Sequence, residues 1–135
     1  MDLTQAMQIA AAGMKVQGVR MRMLAQNLAN AESTATTPGG QPYRRQTVTF
    51  ENVLDRELGV ELVQVARTGI DGSPLPLRYD PGHPAANAEG YVLMPNVNPL
   101  LEMMDLREAQ RSFEANLNAL TLARSMIQRT LELLR

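Results

Sequence analysis

The sequence predicts a mainly α-helical fold with a small β module: two long terminal helices bracket a β-rich insertion. Two patterns predict it, an apolar heptad repeat at each end of the 135-residue chain and alternating polar and apolar residues between them. The composition agrees, because three Tyr, two Phe and no Trp provide little aromatic mass, whereas nine Met provide adaptable apolar contacts. We therefore expect the terminal helices to pack as an antiparallel coiled-coil hairpin.

The C-terminal segment, residues 99–135, has the clearest helical pattern. Positions spaced alternately by three and four residues are apolar at eight of ten sites, as in a coiled-coil seam. Asn98 is suited to cap the helix and Pro99 to begin it. No Gly or Pro follows Pro99, so the helix is expected to continue to the end of the chain. The seam positions are Met103, Leu106, Gln110, Phe113, Leu117, Leu120, Arg124, Ile127, Leu131 and Leu134.

The N-terminal segment, residues 1–31, repeats this logic. Its heptad positions are apolar at eight of nine sites, so a second amphipathic helix is predicted. Gly13 and Gly18 each cost about 1 kcal/mol relative to Ala inside a helix, which indicates that a neighbour approaches the backbone there. The seam positions are Leu3, Met7, Ala10, Met14, Gln17, Met21, Leu24, Leu28 and Ala31.

The middle segment, residues 32–98, has the signals of turns and short strands. Residues 30–42 are rich in Ser, Thr, Gly and Pro, which favour a loop, and residues 80–84 read Asp-Pro-Gly-His-Pro, a turn. Alternating or β-branched runs between the turns predict strands at about 47–50, 58–66, 75–79 and 91–94.

Residues that could carry chemistry are sparse. The chain has no Cys, and its single histidine, His83, has only Asp80 as a nearby acid in the sequence, which is too few ligands for a metal site. His83 is more simply a turn residue. No nucleophile elbow or phosphate-binding loop is present. We expect neither a cofactor nor a small-molecule substrate.

The charge pattern argues against nucleic acid as a partner. The formal net charge is −1, and phosphate binding needs a concentrated basic surface. Arg44 and Arg45 form the only adjacent basic pair near an aromatic residue, and we interpret them as a solvated strand face or a subunit contact.

No apolar run approaches the ~20 residues of a membrane-spanning helix. The N-terminal residues also lack the basic and hydrophobic regions of a Sec-type signal peptide, so we expect any export to use another route.

Several motifs resemble those of bacterial flagellar rod and hook axial proteins. The N-terminal motif of that family is matched by Ala12-Gly13-Met14, Gln17, Arg20, Met21 and Asn27-Leu28-Ala29-Asn30-Ala31. The proximal rod members of the family are resembled by Pro42-Tyr43-Arg44-Arg45, Tyr79-Asp80-Pro81-Gly82-His83-Pro84, Gly90-Tyr91-Val92, Pro95-Asn96-Val97-Asn98 and the 111–116 stretch. The departures are Leu28 for the usual Ile, Glu32 for a frequent Asn, and Phe113 for the usual Tyr.

The resemblance implies a structural subunit of the rod, the helical drive shaft that crosses the periplasm and transmits torque towards the hook. It also implies export through the flagellar type III apparatus. The implied partners are copies of this chain, other proximal and distal rod proteins, basal-body ring proteins and the export apparatus. Three alternatives remain: another axial rod or hook component, a cytoplasmic export chaperone or adaptor, and an enzyme that uses Asp80 and His83.

Under this interpretation, assembly depends on helix-packing side chains and on amides that fix the register at helix ends. The candidate residues are Met14, Gln17, Met21, Leu24, Asn27, Leu28, Asn30, Phe113, Asn116, Leu117, Leu120 and Ile127.

Overall fold

The computed structural model describes residues 1–135 and contains two long helices and four strands. This confirms the prediction of long N- and C-terminal helices with a small strand module between them. The strands form two separate two-stranded sheets, β1–β2 and β3–β4. The elements are α1 (Leu3–Ala29), β1 (Gln46–Asp55), β2 (Val60–Ile70), β3 (Leu77–Tyr79), β4 (Tyr91–Leu93) and α2 (Pro99–Leu133).

Side chains cap the start of both helices. At α1, the Gln5 N–H donates to Asp2 Oδ1 (2.8 Å) and the Asp2 N–H donates to Gln5 Oε1 (3.0 Å), a reciprocal capping box. At α2, Asn98 Oδ1 accepts from the Leu100 N–H at 3.1 Å and the Leu101 N–H at 3.5 Å. The predicted cap at Asn98 is therefore confirmed.

The long strands β1 and β2 are joined by a turn at residues 56–59. Asp55 Oδ1 accepts from the backbone N–H groups of Glu57 (2.9 Å) and Leu58 (3.1 Å). Gly59 follows with a φ of 68°, a conformation that residues with a Cβ rarely adopt. β1 extends beyond its predicted range at both ends, whereas β2 begins two residues later and ends four residues later than predicted.

The short strands β3 and β4 pair antiparallel, with Tyr79 opposite Tyr91 and Leu77 opposite Leu93. The two tyrosine rings meet edge to face at 5.3 Å between centroids. Val92, the middle residue of β4, is fully buried and forms a small apolar core with Ala85 and Met94.

Tertiary contacts divide the chain into two compact units. The first unit comprises residues 1–21, 48–67 and 107–135, and the second comprises residues 22–47 and 68–106. Both helices and both long strands therefore contribute to each unit. Neither helix contains a stretch that is long and apolar enough to cross a membrane.

The first unit buries small side chains. Ala10 and Val16 on α1 are 4% and 3% exposed, and Ala109 and Ala123 on α2 are 0% and 6% exposed. Gly13 lies against Asn116: a Cβ added to Gly13 would be 2.8 Å from Asn116 Nδ2. This confirms the expectation that a neighbour approaches the backbone at Gly13. At Gly18 the expectation is wrong within the chain, because no atom lies within 4 Å of a Cβ added there.

The apolar heptad positions of α2 are only partly covered within the chain. Leu106, Phe113, Leu120 and Ile127 are half-buried, whereas Met103, Leu117 and Leu131 are exposed, as is Leu134 just after the helix ends. The fully buried positions of α2 are instead Glu102, Ala109 and Ala123. A count of large apolar residues does not find these positions, because two are small and one is charged.

Candidate assembly site

The most completely bonded polar side chain in the molecule is Asn27, near the end of α1. It is 0% exposed. Its Nδ2 donates to the Gln46 carbonyl (3.0 Å) and to Glu102 Oε2 (3.2 Å). Its Oδ1 accepts from the Gln46 N–H (2.9 Å) and from the Tyr43 hydroxyl (2.7 Å). Both donors and both acceptor positions of the amide are therefore used, which offsets the cost of burying it.

The paired bonds between Asn27 and Gln46 resemble one step of a β-ladder. The side-chain amide of Asn27 takes the place of a backbone peptide, facing both the N–H and the C=O of Gln46 at the first residue of β1. The end of α1 is thereby attached to the start of β1 at a defined residue.

Glu102 lies in the first turn of α2 and is 2% exposed. Its Oε1 accepts a short hydrogen bond from Arg45 Nε, and its Oε2 accepts the bond from Asn27. A buried carboxylate is tolerated when its oxygens are paired in this way. Our interpretation of Arg45 as part of a solvated strand face is therefore wrong, because its guanidinium is paired with a buried acid of the same chain. The alternative interpretation, a subunit contact, stays a prediction.

Asn96 connects two further backbone segments to Arg45. Its Oδ1 accepts from the Arg45 N–H (2.8 Å), and its Nδ2 donates to the carbonyls of Asp71 (3.0 Å) and Ser73 (3.3 Å). The Asp71 N–H in turn donates to the Arg45 carbonyl (2.8 Å). We call the connected set, Asn27, Tyr43, Arg45, Asp71, Asn96 and Glu102, the polar cluster.

The charges of the polar cluster stabilise one another. The hydrogen bond that Arg45 donates to Glu102 is the main cause that raises the pKa of Arg45. Burial, followed by the nearby Glu102 charge, raises the pKa of Tyr43 and keeps its hydroxyl protonated as a donor. The pKa of Asp71 is lowered, first by the Ser73 hydroxyl, then by the Ser73 N–H and by Arg45. Each group is therefore held in the ionisation state that its hydrogen bonds require.

Of the polar cluster, only Asn27 was among the candidate residues found from sequence. Its partners were present in the quoted motifs, since Tyr43 and Arg45 lie in the Pro42-Tyr43-Arg44-Arg45 run and Asn96 follows Pro95. Their pairing joins segments that are far apart in the chain, and no local pattern encodes it. Glu102 lies near a helix N-terminus, where an acid is favoured by the helix dipole and does not by itself indicate burial.

The other two candidate amides make local bonds. Asn30 Nδ2 donates to the Gln26 carbonyl (2.9 Å) and its Oδ1 accepts from the Ser33 hydroxyl (3.0 Å), beside the end of α1. Asn116 Nδ2 donates to the Ser112 carbonyl of its own helix (2.9 Å) and packs against Gly13.

The remaining candidates differ in burial. Leu24 is buried, at 2% exposure, and Leu117 is exposed, at 42%. Gln17 carries a buried Oε1 atom with no hydrogen-bond partner. The half-buried candidates are Met14, Met21, Leu28, Phe113, Leu120 and Ile127.

His83 is held by uncharged groups. Its Nδ1 accepts from the Ala85 N–H (3.0 Å) and its Nε2 is 3.1 Å from the Thr34 hydroxyl. The backbone N–H of His83 donates to the Asp80 carbonyl at 3.1 Å, which closes a turn. The interpretation of His83 as a turn residue is confirmed. No group of three or more His, Cys, Asp or Glu side chains has the arrangement of a metal site.

Comparisons with known proteins agree over nearly the whole chain. A curated protein named flagellar basal-body rod protein FlgC, from Agrobacterium fabrum, is 49% identical over 133 residues, covering 98% of this chain and 96% of the relative. Proteins of the same name from Aquifex aeolicus and Salmonella typhimurium are each 40% identical and cover 98% of this chain, and 97% and 98% of the respective relatives. Residues 88–133 also match the family described as flagellar basal body rod FlgEFG protein C-terminal.

Proposed function

Because the chain belongs to the FlgC family of flagellar basal-body rod proteins, we propose that α1 and α2 are the surfaces through which it is built into the rod. The chain is a structural component of the basal-body rod and not an enzyme. That role requires assembly with other rod and basal-body components. The specific partners are proposed to be copies of this chain, the neighbouring proximal and distal rod proteins, the ring proteins and the export apparatus.

One observation carries the assembly role: α2 exposes large apolar side chains at both of its ends. Leu100 and Met104 near its start are 67% and 59% exposed, and Leu122, Leu131 and Leu133 near its end are 64%, 58% and 87% exposed. Single exposed leucines are ordinary, but a helix that exposes this many is typical of an interaction surface. Covering them in an assembly also recovers part of the entropy lost on ordering the helix.

We further propose that the helices form an antiparallel coiled-coil hairpin. Two contacts of the first unit support this arrangement. Gly13 faces Asn116, and Arg20 pairs with Glu108 (3.6 Å). The residue that lies later in α1 therefore contacts the residue that lies earlier in α2, as in two helices that run in opposite directions. The small residues buried on the facing sides, Ala10 and Ala109, would allow the helix axes to lie close together.

The mechanical role follows from repetition. An interface that joins unlike surfaces of successive copies, and whose rotation does not close, produces a helical tube. Many modest contacts would make the tube stiff enough to cross the periplasm and transmit torque towards the hook. We propose that the chain reaches this position through the flagellar type III apparatus and folds where it is incorporated.

Within the rod, the candidate residues have two proposed roles. The half-buried side chains of Met14, Met21, Leu28 and Phe113 would complete their packing against neighbouring helices. The amides of Asn27, Asn30 and Asn116 would keep the helix ends in the geometry that presents those side chains.

The test is to isolate detergent-extracted basal bodies and to detect the chain before and after the outer rings are stripped, with the cytosolic fraction as control. We expect the chain to remain with the stripped rod. Detection only in the cytosol, bound to other flagellar proteins, would support an export chaperone or adaptor instead.

A further inference from the structure

The outward side of α2 changes character along its length. Its most exposed large apolar side chains lie towards its start and its end, whereas four charged side chains lie close together in its middle. The charged middle positions are Arg107, Glu108, Arg111 and Glu114. The two apolar ends are therefore distinct surfaces rather than one continuous seam.

The surface at the start of α2 combines apolar side chains with acids. Leu101 lines a pocket of about 460 Å³ together with the carboxylates of Asp71, Glu102 and Asp105 and the guanidinium of Arg45. Three carboxylates and one guanidinium leave an excess of negative charge. Leu100 and Met104 are exposed beside it. We call the set of Asp71, Leu100, Leu101, Met104 and Asp105 the acidic patch.

The surface at the end of α2 combines apolar side chains with a base. Leu122, Met126, Arg129 and Leu133 follow one another at spacings of four, three and four residues, so they lie on one side of the helix. All four are exposed. We call them the terminal stripe. It contains no acid, and Leu133 is 87% exposed.

These two surfaces are complementary and cannot meet within one molecule. Both are apolar, and they carry opposite charge, which favours contact between them. The apolar residues of both surfaces lie on a single uninterrupted helix, Pro99–Leu133, and separate stretches of one helix cannot fold onto each other. Asp71 lies outside the helix but lines the same pocket as Leu101 and Asp105 at its start. A second chain is needed to cover either surface.

We propose that the terminal stripe of one copy docks on the acidic patch of a second copy, with Arg129 directed towards the carboxylates of Asp71 and Asp105. This contact rests on the proposed function, since it supplies a head-to-tail joint between subunits of the rod. It joins unlike surfaces, so a joined pair keeps one unused patch on one copy and one unused stripe on the other, and further copies can be added in the same direction.

The absence of cysteine makes a direct test possible. The variants Leu101→Cys and Arg129→Cys are expressed together in cells that lack the natural chain, and basal bodies are isolated under mild oxidation. We expect a disulfide-linked dimer that joins position 101 to position 129, identified by mass spectrometry. A chain carrying both substitutions should give a ladder of higher multimers.

The matched control is Arg124→Cys with Leu101→Cys. Arg124 is also exposed on the last part of α2 but lies about 140° around the helix from Arg129. We expect no dimer from this pair. Equal cross-linking by both pairs, no cross-link at position 129, or a disulfide from position 129 to a different basal-body protein would each overturn the proposal.

Charge reversal provides a second measurement. Arg129→Glu is expected to reduce the amount of chain in basal bodies about fivefold, and Asp105→Arg in the same chain should restore it. If the natural chain is present in stripped basal bodies but Arg129→Glu has no effect, the docking contact is wrong and the rod function stands. If the natural chain is absent from them, the rod function itself is wrong.

Discussion

Asn27 is buried without cost to its hydrogen bonding because each polar position of its amide meets a partner in the folded chain. Two of the four bonds go to backbone groups of Gln46, and the other two go to Tyr43 and Glu102. The same amide thus connects a helix end, a strand start and a buried ion pair. Loss of a partner in such a network leaves several buried groups unsatisfied at once.

We predict that Asn27→Ala lowers the free energy of unfolding by about 2–4 kcal/mol, because Gln46, Tyr43 and Glu102 lose their common partner. Urea unfolding of the full chain, followed by far-ultraviolet circular dichroism, measures this change. Asn118→Ala, at an exposed position of α2, should change it by less than about 0.5 kcal/mol. Swimming motility should fall in the Asn27 variant more than expression of the chain does. Similar stability in the two variants would contradict the role of the amide.

The Asp71 carboxylate should make the free energy of unfolding depend on pH in the acidic range. Its pKa is lowered in the folded chain, so its contribution is present above the unfolded pKa near 3.9 and is lost as pH falls through the lower folded value. Because the Ser73 hydroxyl is the largest cause, Ser73→Ala should lose less stability than the natural chain between pH 5 and about pH 3. Urea midpoints at the two pH values measure the difference, with Ser125→Ala in α2 as control. An unchanged acid dependence in Ser73→Ala would refute this account.

At the scale of the elements, both helices have side-chain caps at their N-termini, and the residues that they bury in the first unit are small. Asp2 and Asn98 cap the two N-termini. Between the caps, the positions buried in the first unit are small, as at Ala10, Ala109 and Ala123. Small side chains allow close backbone approach, so the larger apolar residues of the same helices are left half-buried or exposed.

The two helix glycines give a matched test of this close approach. Gly18→Ala should stabilise the free chain by up to about 1 kcal/mol, because alanine favours the helix and meets no atom there. Gly13→Ala should stabilise the chain less than Gly18→Ala does, because the new Cβ would lie 2.8 Å from Asn116 Nδ2 and the Asn116 side chain would have to move. Asn116→Ala added to Gly13→Ala should remove this difference. Thermal midpoints of the four chains measure the effect, and an equal gain from Gly13→Ala and Gly18→Ala would argue against the contact.

The sequence was sufficient to predict both helices, the cap at Asn98 and the approximate position of every strand. Periodicity and turn residues determine these features locally. It was not sufficient to identify which heptad positions are buried, since Ala109 and Glu102 do not stand out in a search for large apolar residues. The division into segments 1–31, 32–98 and 99–135 stays a prediction, as does the assembly role of the candidate residues. The partners of Asn27 could not be found because Gln46 and Glu102 are separated from it by 19 and 75 positions.

At the scale of the whole molecule, the chain buries few large side chains for its length. Leu24, Glu102, Val92 and Asn27 are the largest that are fully buried, and two of these are polar. Much of the apolar surface of α2 therefore remains available to neighbours, as expected of a subunit whose structure is completed by assembly.

Methionine oxidation should show whether assembly covers the exposed apolar surface of α2. Met104 and Met126 are 59% and 48% exposed in the chain, so hydrogen peroxide should oxidise both in the free protein. In intact basal bodies we expect both to be protected. Met94, 8% exposed, should resist oxidation in either state and serves as the internal control. Sulfoxide content is measured by mass spectrometry of tryptic peptides, and equal oxidation of Met104 and Met126 in both samples would show that assembly does not cover α2.

The paired bonds from Asn27 to Gln46 also determine how the chain responds to force. Because the two bonds lie side by side on one amide, a pull on α1 relative to β1 stretches both together rather than breaking them one after the other. Bonds loaded in parallel share the load and yield over a very short displacement. Under the torque-bearing role proposed for the chain, such a joint would act as a stiff coupling with almost no play at this point.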